Sequence, residues 1–119
     1  MHELALAEAV VAIAERHAHG RRVARVELEV GALRQVVTEA LAFSFELVAA
    51  GTPVEGAELA LEEVPVRVRC RACRAETDAD RLPLACGRCG ELDVEVTRGE
   101  EFQVVALEVE EEVEVVGSK

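Results

Sequence analysis

The chain has 119 residues, half of them apolar, and its 24 acidic side chains outnumber 13 basic ones for a formal charge of −11. This length and apolar content predict one compact hydrophobic core with at most one small additional module, and they exclude a disordered chain. The acidic balance excludes the overall basic footprint of a nucleic-acid-binding protein, and no stretch approaches the roughly 20 apolar residues of a membrane span.

Residues 3–19 are predicted to form an amphipathic helix. At 100° per residue the apolar side chains fill about half of its circumference, and Gly20 follows as a natural end. Acidic residues stand here where a secretory signal carries basic ones, so we expect a cytoplasmic protein. In residues 22–30 apolar and charged side chains then alternate, as in a strand with one solvent-exposed face. The side chains expected on its buried face are Ala24, Val26, Leu28 and Val30.

A second helix is predicted to begin at Thr38, as the N-cap, and to run to about Ala50. Its apolar coverage is wide and includes Phe43, Phe45 and Leu47. Because aromatic side chains bury large areas, we expect this helix to anchor the core.

Residues 57–68 are predicted to form a strand whose apolar phase shifts between Leu61 and Val64. Such a shift indicates either a bulge or an exit from one sheet into another element. Residues 102–109 form a β-branched apolar run that is typical of a central strand. The acidic residues after it either extend this strand or form a solvated end.

The order of these elements predicts an α+β fold in which a small three-stranded sheet is covered by two helices. A zinc-ribbon-like four-cysteine module is inserted between the last two strands. We therefore expect a domain formed by residues 1–65 and 98–119, and a second domain formed by residues 66–97.

The four cysteines form two Cys-x-x-Cys pairs, Cys70 with Cys73 and Cys86 with Cys89. Two intervening residues let both sulfurs of a pair reach one ion, and the second pair completes a tetrahedron without an open position. This pattern predicts a structural zinc site. A mononuclear iron–sulfur site has similar ligands and is an alternative, as is a redox dithiol, although no thioredoxin-like pattern surrounds the pairs.

Basic residues are concentrated around the cysteines, with six arginines and three acidic residues between Pro65 and Gly90. One interpretation is that these arginines offset four thiolates and one Zn²⁺, whose net charge is −2. The other is a docking patch for an acidic surface or a nucleic acid.

His2 is a candidate nickel ligand. A histidine beside the terminus places its imidazole, the α-amine of Met1 and nearby backbone amides within reach of one metal ion, and square-planar nitrogen ligation suits Ni(II) and Cu(II). The alternative is an exposed bystander at a frayed chain end. Glu3, on the apolar side of the helix, either favours the helix dipole or supports the metal.

Two further histidines lie towards the end of the first helix. His17 falls within the apolar arc and is expected to be partly buried. His19 lies near the helix C-terminus, where a positive imidazole is favoured. For each of these histidines, a secondary contact with the metal is the alternative interpretation.

Taken together, these motifs resemble the HypA/HybF family of hydrogenase nickel-incorporation proteins over essentially the whole chain. The specific parts are Met1-His2-Glu3 at the start of a helix and the four cysteines. Supporting segments are Leu41-Ala42-Phe43-Ser44-Phe45-Glu46, Thr52-Pro53-Val54-Glu55-Gly56-Ala57 and Gly99-Glu100-Glu101-Phe102.

The resemblance implies a nickel metallochaperone that carries Ni²⁺ as cargo at His2, with the Met1 amine and the Glu3 backbone region completing the site. It implies structural zinc at Cys70, Cys73, Cys86 and Cys89. It also implies two partners, a hydrogenase-maturation GTPase and the large subunit of [NiFe]-hydrogenase, with urease served by some relatives. The chain departs from the family where Gly87 replaces a proline in the second cysteine turn.

No catalysis is expected, because a hydrolase that used the cysteine-bound metal would need an open coordination position and a general base. The strongest alternative is a zinc-ribbon module that binds nucleic acid or protein and has no nickel role. The absence of Tyr and Trp for base stacking counts against nucleic acid. No membrane partner is expected, and both a monomer and a homodimer remain open.

Overall fold

A computed structural model of the chain describes residues 2–110 and 112–116, of which 112–114 are described by their backbone alone. The elements in chain order are helix α1 (His2–Ala18), strand β1 (Val23–Gly31), a 3₁₀ turn (Ala32–Arg34), helix α2 (Thr38–Ala49), and strands β2 (Glu58–Val64), β3 (Arg67–Cys70), β4 (Glu76–Asp78), β5 (Val94–Arg98), β6 (Phe102–Val109) and β7 (Glu112–Val115).

The chain divides into two compact units. The first consists of the described parts of Met1–Glu29, Val36–Glu62 and Gln103–Lys119, and it contains both α-helices. The second consists of Val30–Gln35 and Glu63–Phe102 and contains all four cysteines. Neither α1 nor α2, the α-helices of the described residues, has the length and apolar character that crossing a membrane requires.

The predicted fold class is confirmed, with one difference in the sheet. One sheet has four strands in the order β2-β1-β6-β7, and a second sheet has three in the order β4-β3-β5. The fourth strand arises because the acidic tail turns back as β7 and pairs antiparallel with β6. The apolar run 102–109 is therefore a central strand, as predicted, and the segment 57–68 leaves one sheet as β2 and enters the other as β3.

The core of the first unit is built from small and β-branched side chains. The side chains of α1 that are fully or almost fully buried include Ala7, Val10, Val11, Ala14 and Ala18. Because these are short, α1 lies close against α2. Strand β1 buries Val26 and Leu28 as predicted, but Ala24 is exposed and Val23 is buried in its place.

Helix α2 contributes to the core, as predicted, but it differs from the prediction at its start. The N-cap is Val37 rather than Thr38, and no side chain caps the helix locally. Its buried residues are Leu41, Phe45 and Ala49. Phe43 is 62% exposed and Leu47 is 59% exposed, so only one side of the wide apolar coverage contributes to the core.

Two glycines meet backbone to backbone in the second unit. The backbone N–H of Gly31 donates to the carbonyl of Glu101 at 2.7 Å, and the N–H of Leu33 donates to the carbonyl of Gly99 at 2.8 Å. A Cβ atom on Gly31 would overlap the carbonyl group of Gly99. Gly99 itself has a φ of +118°, and its own Cβ would lie 2.8 Å from the Cα of Val66.

We expect Gly31→Ala to lower the free energy of unfolding by about 2 kcal/mol or more, because the backbone of Gly99 and Glu100 leaves no room for the methyl group. Gly20→Ala is the matched control. Gly20 has a φ of +83° with open space around it, so only the strain of a left-handed residue, about 1 kcal/mol, is expected. Urea denaturation of both variants measures the difference, and equal losses would contradict the close approach.

Candidate metal centres

The four cysteine sulfurs converge on one point. All four Sγ atoms lie within 4.8 Å of one another. The Sγ atoms of Cys70 and Cys89 are 3.7 Å apart, as are those of Cys73 and Cys86. Four sulfurs at a Zn–S distance of about 2.3 Å around a tetrahedral ion lie about 3.8 Å apart, so these positions fit a zinc tetrathiolate. They do not fit disulfides, whose S–S distance is about 2.05 Å.

Each Cys-x-x-Cys pair forms a tight turn that surrounds its first sulfur with backbone N–H groups. The Sγ of Cys70 accepts hydrogen bonds from the N–H groups of Ala72 and Cys73, both at 3.3 Å. The N–H of Arg74 donates to the Cys70 carbonyl at 3.0 Å, which places Arg74 at a φ of +67°. The local backbone therefore aims the thiolates before a metal arrives.

The second turn repeats this arrangement. The Sγ of Cys86 accepts from the N–H groups of Arg88 at 3.3 Å and Cys89 at 3.4 Å. Gly90, at a φ of +80°, donates its N–H to the Cys86 carbonyl at 3.0 Å. Both cysteine turns are therefore followed by a residue with positive φ, Arg74 after the first and Gly90 after the second.

Gly87, where the family pattern has proline, has a hydrogen bond of its own. Its backbone N–H donates to Oγ1 of Thr77 at 2.8 Å. A proline at this position would have no N–H to donate. In this chain the bond to Thr77 therefore supports the second cysteine turn.

The thiols differ in acidity because their surroundings differ. The backbone N–H groups of Cys89 and Arg88 lower the pKa of Cys86 to about 6. The N–H of Cys73 likewise lowers the pKa of Cys70. At Cys89 the Glu91 amide acts in the same direction, but the neighbouring sulfurs and burial together raise its pKa to about 12. Four thiolates can therefore coexist here only around a cation that offsets their charge.

The arginines near the cysteines pair with carboxylates rather than with the sulfurs. Arg67 Nη1 lies 2.7 Å from Asp78 Oδ1, and Arg71 Nε lies 3.0 Å from Asp93 Oδ1. Arg69 lies between Glu76 and Glu95, at 3.4 and 3.9 Å. Such exposed pairs contribute about 0.2–1 kcal/mol each. These three guanidinium groups therefore have carboxylate partners, which argues against the docking-patch interpretation. The offset of the thiolate charge by the six arginines stays a prediction.

At the other end of the chain, α1 begins at His2, and Met1 lies outside the described residues. The His2 side chain is 58% exposed, and its Nε2 lies 3.6 Å from Oε2 of Glu3. The Glu3 side chain is only 9% exposed. Its Oε2 accepts a hydrogen bond from the backbone N–H of Val37 at 3.0 Å, so it joins the start of α1 to the start of α2.

The hydrogen bond from the Val37 N–H is the largest of the effects that lower the pKa of Glu3 to about 2. The carboxylate is therefore ionised near neutral pH, and it caps the α2 amide that no local side chain caps. The sequence signal for this role was an acidic residue on the apolar side of a helix, but the identity of its partner, 34 residues away, depends on tertiary structure.

The other two histidines lie apart from any cluster of ligands. His17 is partly buried, as predicted, and His19 is exposed. Among the described residues, the cysteines form the one group of three or more His, Cys, Asp or Glu side chains whose ligand atoms could share an ion. The structure therefore gives no support to His17 or His19 as secondary metal contacts.

Comparison with known proteins places this geometry in context. A family model described as hydrogenase/urease nickel incorporation, metallochaperone, HypA matches residues 1–109. The hydrogenase maturation factor HypA of Geobacter sulfurreducens is 44% identical over 110 residues, which cover 92% of this chain and 100% of that protein. The Trichormus variabilis factor of the same name is 39% identical over 111 residues, covering 93% and 97%.

The fold also matches solved structures. The solution structure of the Ni metallochaperone HypA from Helicobacter pylori superposes with a TM-score of 0.68, covering 92% of this chain and 97% of that one. At 24% sequence identity this likeness is a likeness of fold alone.

We expect Co²⁺ added to the metal-free, reduced protein to produce the thiolate charge-transfer and ligand-field bands of a tetrahedral sulfur site, at about one ion per chain. Cys86→Ser should weaken both the bands and the affinity, because one thiolate is lost. Ser44→Ala, a substitution in α2 of the first unit that removes no sulfur, is the control and should leave both unchanged. Cobalt spectra that lack sulfur bands in the wild type would contradict the site.

Glu3→Gln should destabilise the protein at neutral pH, and its effect should shrink in acid. A carboxyl whose pKa is lowered from 4.5 to about 2 on folding stabilises the folded state fully above pH 4.5. That contribution is lost as the pH falls towards 2. Urea denaturation of nickel-free protein across this range measures the effect. Glu8→Gln, at an exposed position of α1, is the control, and the same pH dependence in both variants would contradict the role of Glu3.

Proposed function

The chain belongs to the HypA family of nickel-incorporation metallochaperones, and we propose that it binds Ni²⁺ at Met1, His2 and Glu3 and helps to deliver the ion to the large subunit of [NiFe]-hydrogenase. Members of this family are maturation factors rather than enzymes. The observation that carries the proposal is the placement of His2, an exposed imidazole at the first residue of a helix whose start is held by the buried Glu3 carboxylate.

A helix start suits this kind of site for two reasons. The first backbone N–H groups of a helix have no acceptor within the helix, so the amides of His2 and Glu3 can lose their protons without breaking a helical hydrogen bond. The positive end of the helix dipole also stabilises the negative charge that a deprotonated amide acquires. Together with the Met1 amine and the His2 imidazole, these nitrogens would supply the in-plane donors that Ni(II) prefers.

In this proposal Glu3 contributes its backbone to the metal and its side chain to the scaffold. The carboxylate accepts the Val37 N–H and is held in a nearly buried position. It therefore fixes the first turn of α1 against α2 and limits fraying of the residue that carries the imidazole. Its contact of 3.6 Å with the imidazole would also orient that ring.

Family members bind structural zinc in addition to nickel. We assign the zinc of this chain to Cys70, Cys73, Cys86 and Cys89, whose sulfur spacing fits a tetrahedral ion. A zinc ion held by four thiolates cross-links the two cysteine turns. It has no catalytic role, because no coordination position is left for a substrate. We assign zinc binding to residues 66–97 and nickel binding to residues 1–65 with 98–119.

The partners are also part of the proposal. We propose that the protein acts in the cytoplasm, as a monomer or a homodimer, with a GTPase of the maturation pathway and the hydrogenase large subunit. Urease is the alternative recipient, since the family description includes both enzymes. No step of this function calls for nucleic acid or a membrane.

An exposed terminal site can both hold nickel and release it. A partner can replace the ligands one at a time, so release does not require unfolding. Ligand protonation competes with the metal, and binding should therefore weaken as the pH falls. Copper binds such donors more tightly than nickel does, so selectivity has to come from metal supply and from contacts with partners.

Calorimetric titration of Ni²⁺ into untagged, zinc-loaded protein tests the proposal. We expect about one nickel per chain with a Kd of about 1 μM or lower, and we expect His2→Ala to abolish this binding. His19→Ala is the matched control, because His19 is an exposed histidine just beyond the opposite end of α1. It should bind as the wild type does.

Unchanged binding in His2→Ala, or no binding in the wild type, would contradict the nickel site. Either result would favour the zinc-ribbon module that binds nucleic acid or protein without a nickel role.

A further inference from the structure

The outer face of α2 presents two large apolar side chains to solvent. Phe43 is 62% exposed and Leu47 is 59% exposed. At 100° per residue they lie only about 40° apart, one helical turn from each other. They point away from Leu41 and Phe45, which are 0% and 2% exposed on the packed side of the same helix. Packing within the first unit therefore does not explain them.

Two acidic residues lie beside Phe43, on the side away from Leu47. Glu39 and Glu46 are both exposed and lie about 40° and 60° around the helix from Phe43. Within the described ranges neither carboxylate pairs with a basic side chain, and Glu39 accepts only the hydroxyl of the adjacent Thr38. The face thus combines apolar contact area with negative charge that the described residues do not neutralise.

We propose that this α2 outer face, formed by Glu39, Phe43, Glu46 and Leu47, docks a helical segment of a partner protein that carries leucine-like side chains flanked by lysine or arginine. Apolar anchors at positions i and i+4 match the spacing of a helix laid alongside. The two glutamates select a basic flank, because each apolar contact made by an acidic segment would bring like charges together.

A second copy of this chain fits the face less well. Two-fold symmetry brings the same patch of both copies together, so one interface would contain Glu39 and Glu46 of both copies and no basic side chain from this patch. The formal charge of −11 per chain opposes the same approach at longer range. A basic partner meets neither obstacle. This inference goes beyond the proposed nickel function and does not depend on it.

A synthetic amphipathic peptide of leucine and lysine, about 14 residues long with leucines at helical spacing, serves as the probe. Its binding to the nickel-free, zinc-loaded full chain is followed by fluorescence anisotropy. We expect saturable binding that Phe43→Ser with Leu47→Ser weakens by about tenfold or more. Glu39→Gln with Glu46→Gln should weaken it by about threefold.

Two matched controls separate this face from general attraction to an acidic protein. Leu92→Ser alters an apolar side chain that is 63% exposed in the second unit, and Glu8→Gln with Glu15→Gln removes two exposed acids from α1. Neither should change the affinity, and thermal unfolding checks that every variant is folded.

Two results would overturn the proposal. The first is peptide binding that the Phe43 and Leu47 substitutions leave unchanged, or that the controls weaken equally. The second is a wild-type dimer in sedimentation that these two substitutions convert to a monomer, since the occupant would then be a second copy.

Discussion

The convergence of four sulfurs on one point is the constraint on which the second unit depends. Its strands are short, at four residues in β3, three in β4 and five in β5, and a sheet of this size buries little apolar surface. Cys70 and Cys86 are themselves among its buried side chains. A metal bound by both cysteine turns, as proposed, would therefore add a cross-link to a small core that includes Val66 and Val68. The backbone N–H groups around the two sulfurs favour the thiolates that such an ion requires.

The two proposed metal sites have opposite relations to solvent, and this difference suits a structural ion and a cargo ion. The sulfur cluster is closed by four protein ligands from two separate turns, so the ion can leave only if the turns separate. The imidazole of His2 is exposed at a helix start, where its support comes from one carboxylate that accepts the Val37 amide. Stability of the fold and exchange of the cargo are thus assigned to different parts of the chain.

Local sequence patterns predicted α1, the central position of β6 and the cysteine turns, because helical period, β-branched runs and Cys-x-x-Cys spacing are short-range signals. Thr38 was wrongly predicted as the N-cap because the group that caps α2 belongs to Glu3, far away in sequence. Helix α2 contributes to the core, as predicted, through Leu41 and Phe45. Its wide apolar coverage did not show that Phe43 and Leu47 are exposed, because periodicity identifies apolar side chains but cannot show that only one side of a helix is covered. Strand β7 pairs with β6 in a tight hairpin, with Val109 opposite Glu112, but the intervening Glu110-Glu111 lacks the glycine or asparagine that signals such a turn.

The ion pairs of the structure also change the interpretation of the arginines around the cysteines. The excess of arginine around the cysteines indicates a basic patch in the sequence, yet Arg67, Arg69 and Arg71 each contact a carboxylate on the same small sheet or beside it. Arginines that are paired in this way offer little net positive field to a phosphate backbone, which weakens the nucleic-acid alternative. The rest of the chain carries a net negative charge, although Arg25 and Arg98 pair with glutamates there. Electrostatic attraction in this protein should therefore favour cations and basic surfaces, which include both a metal cargo and a partner with a cationic flank.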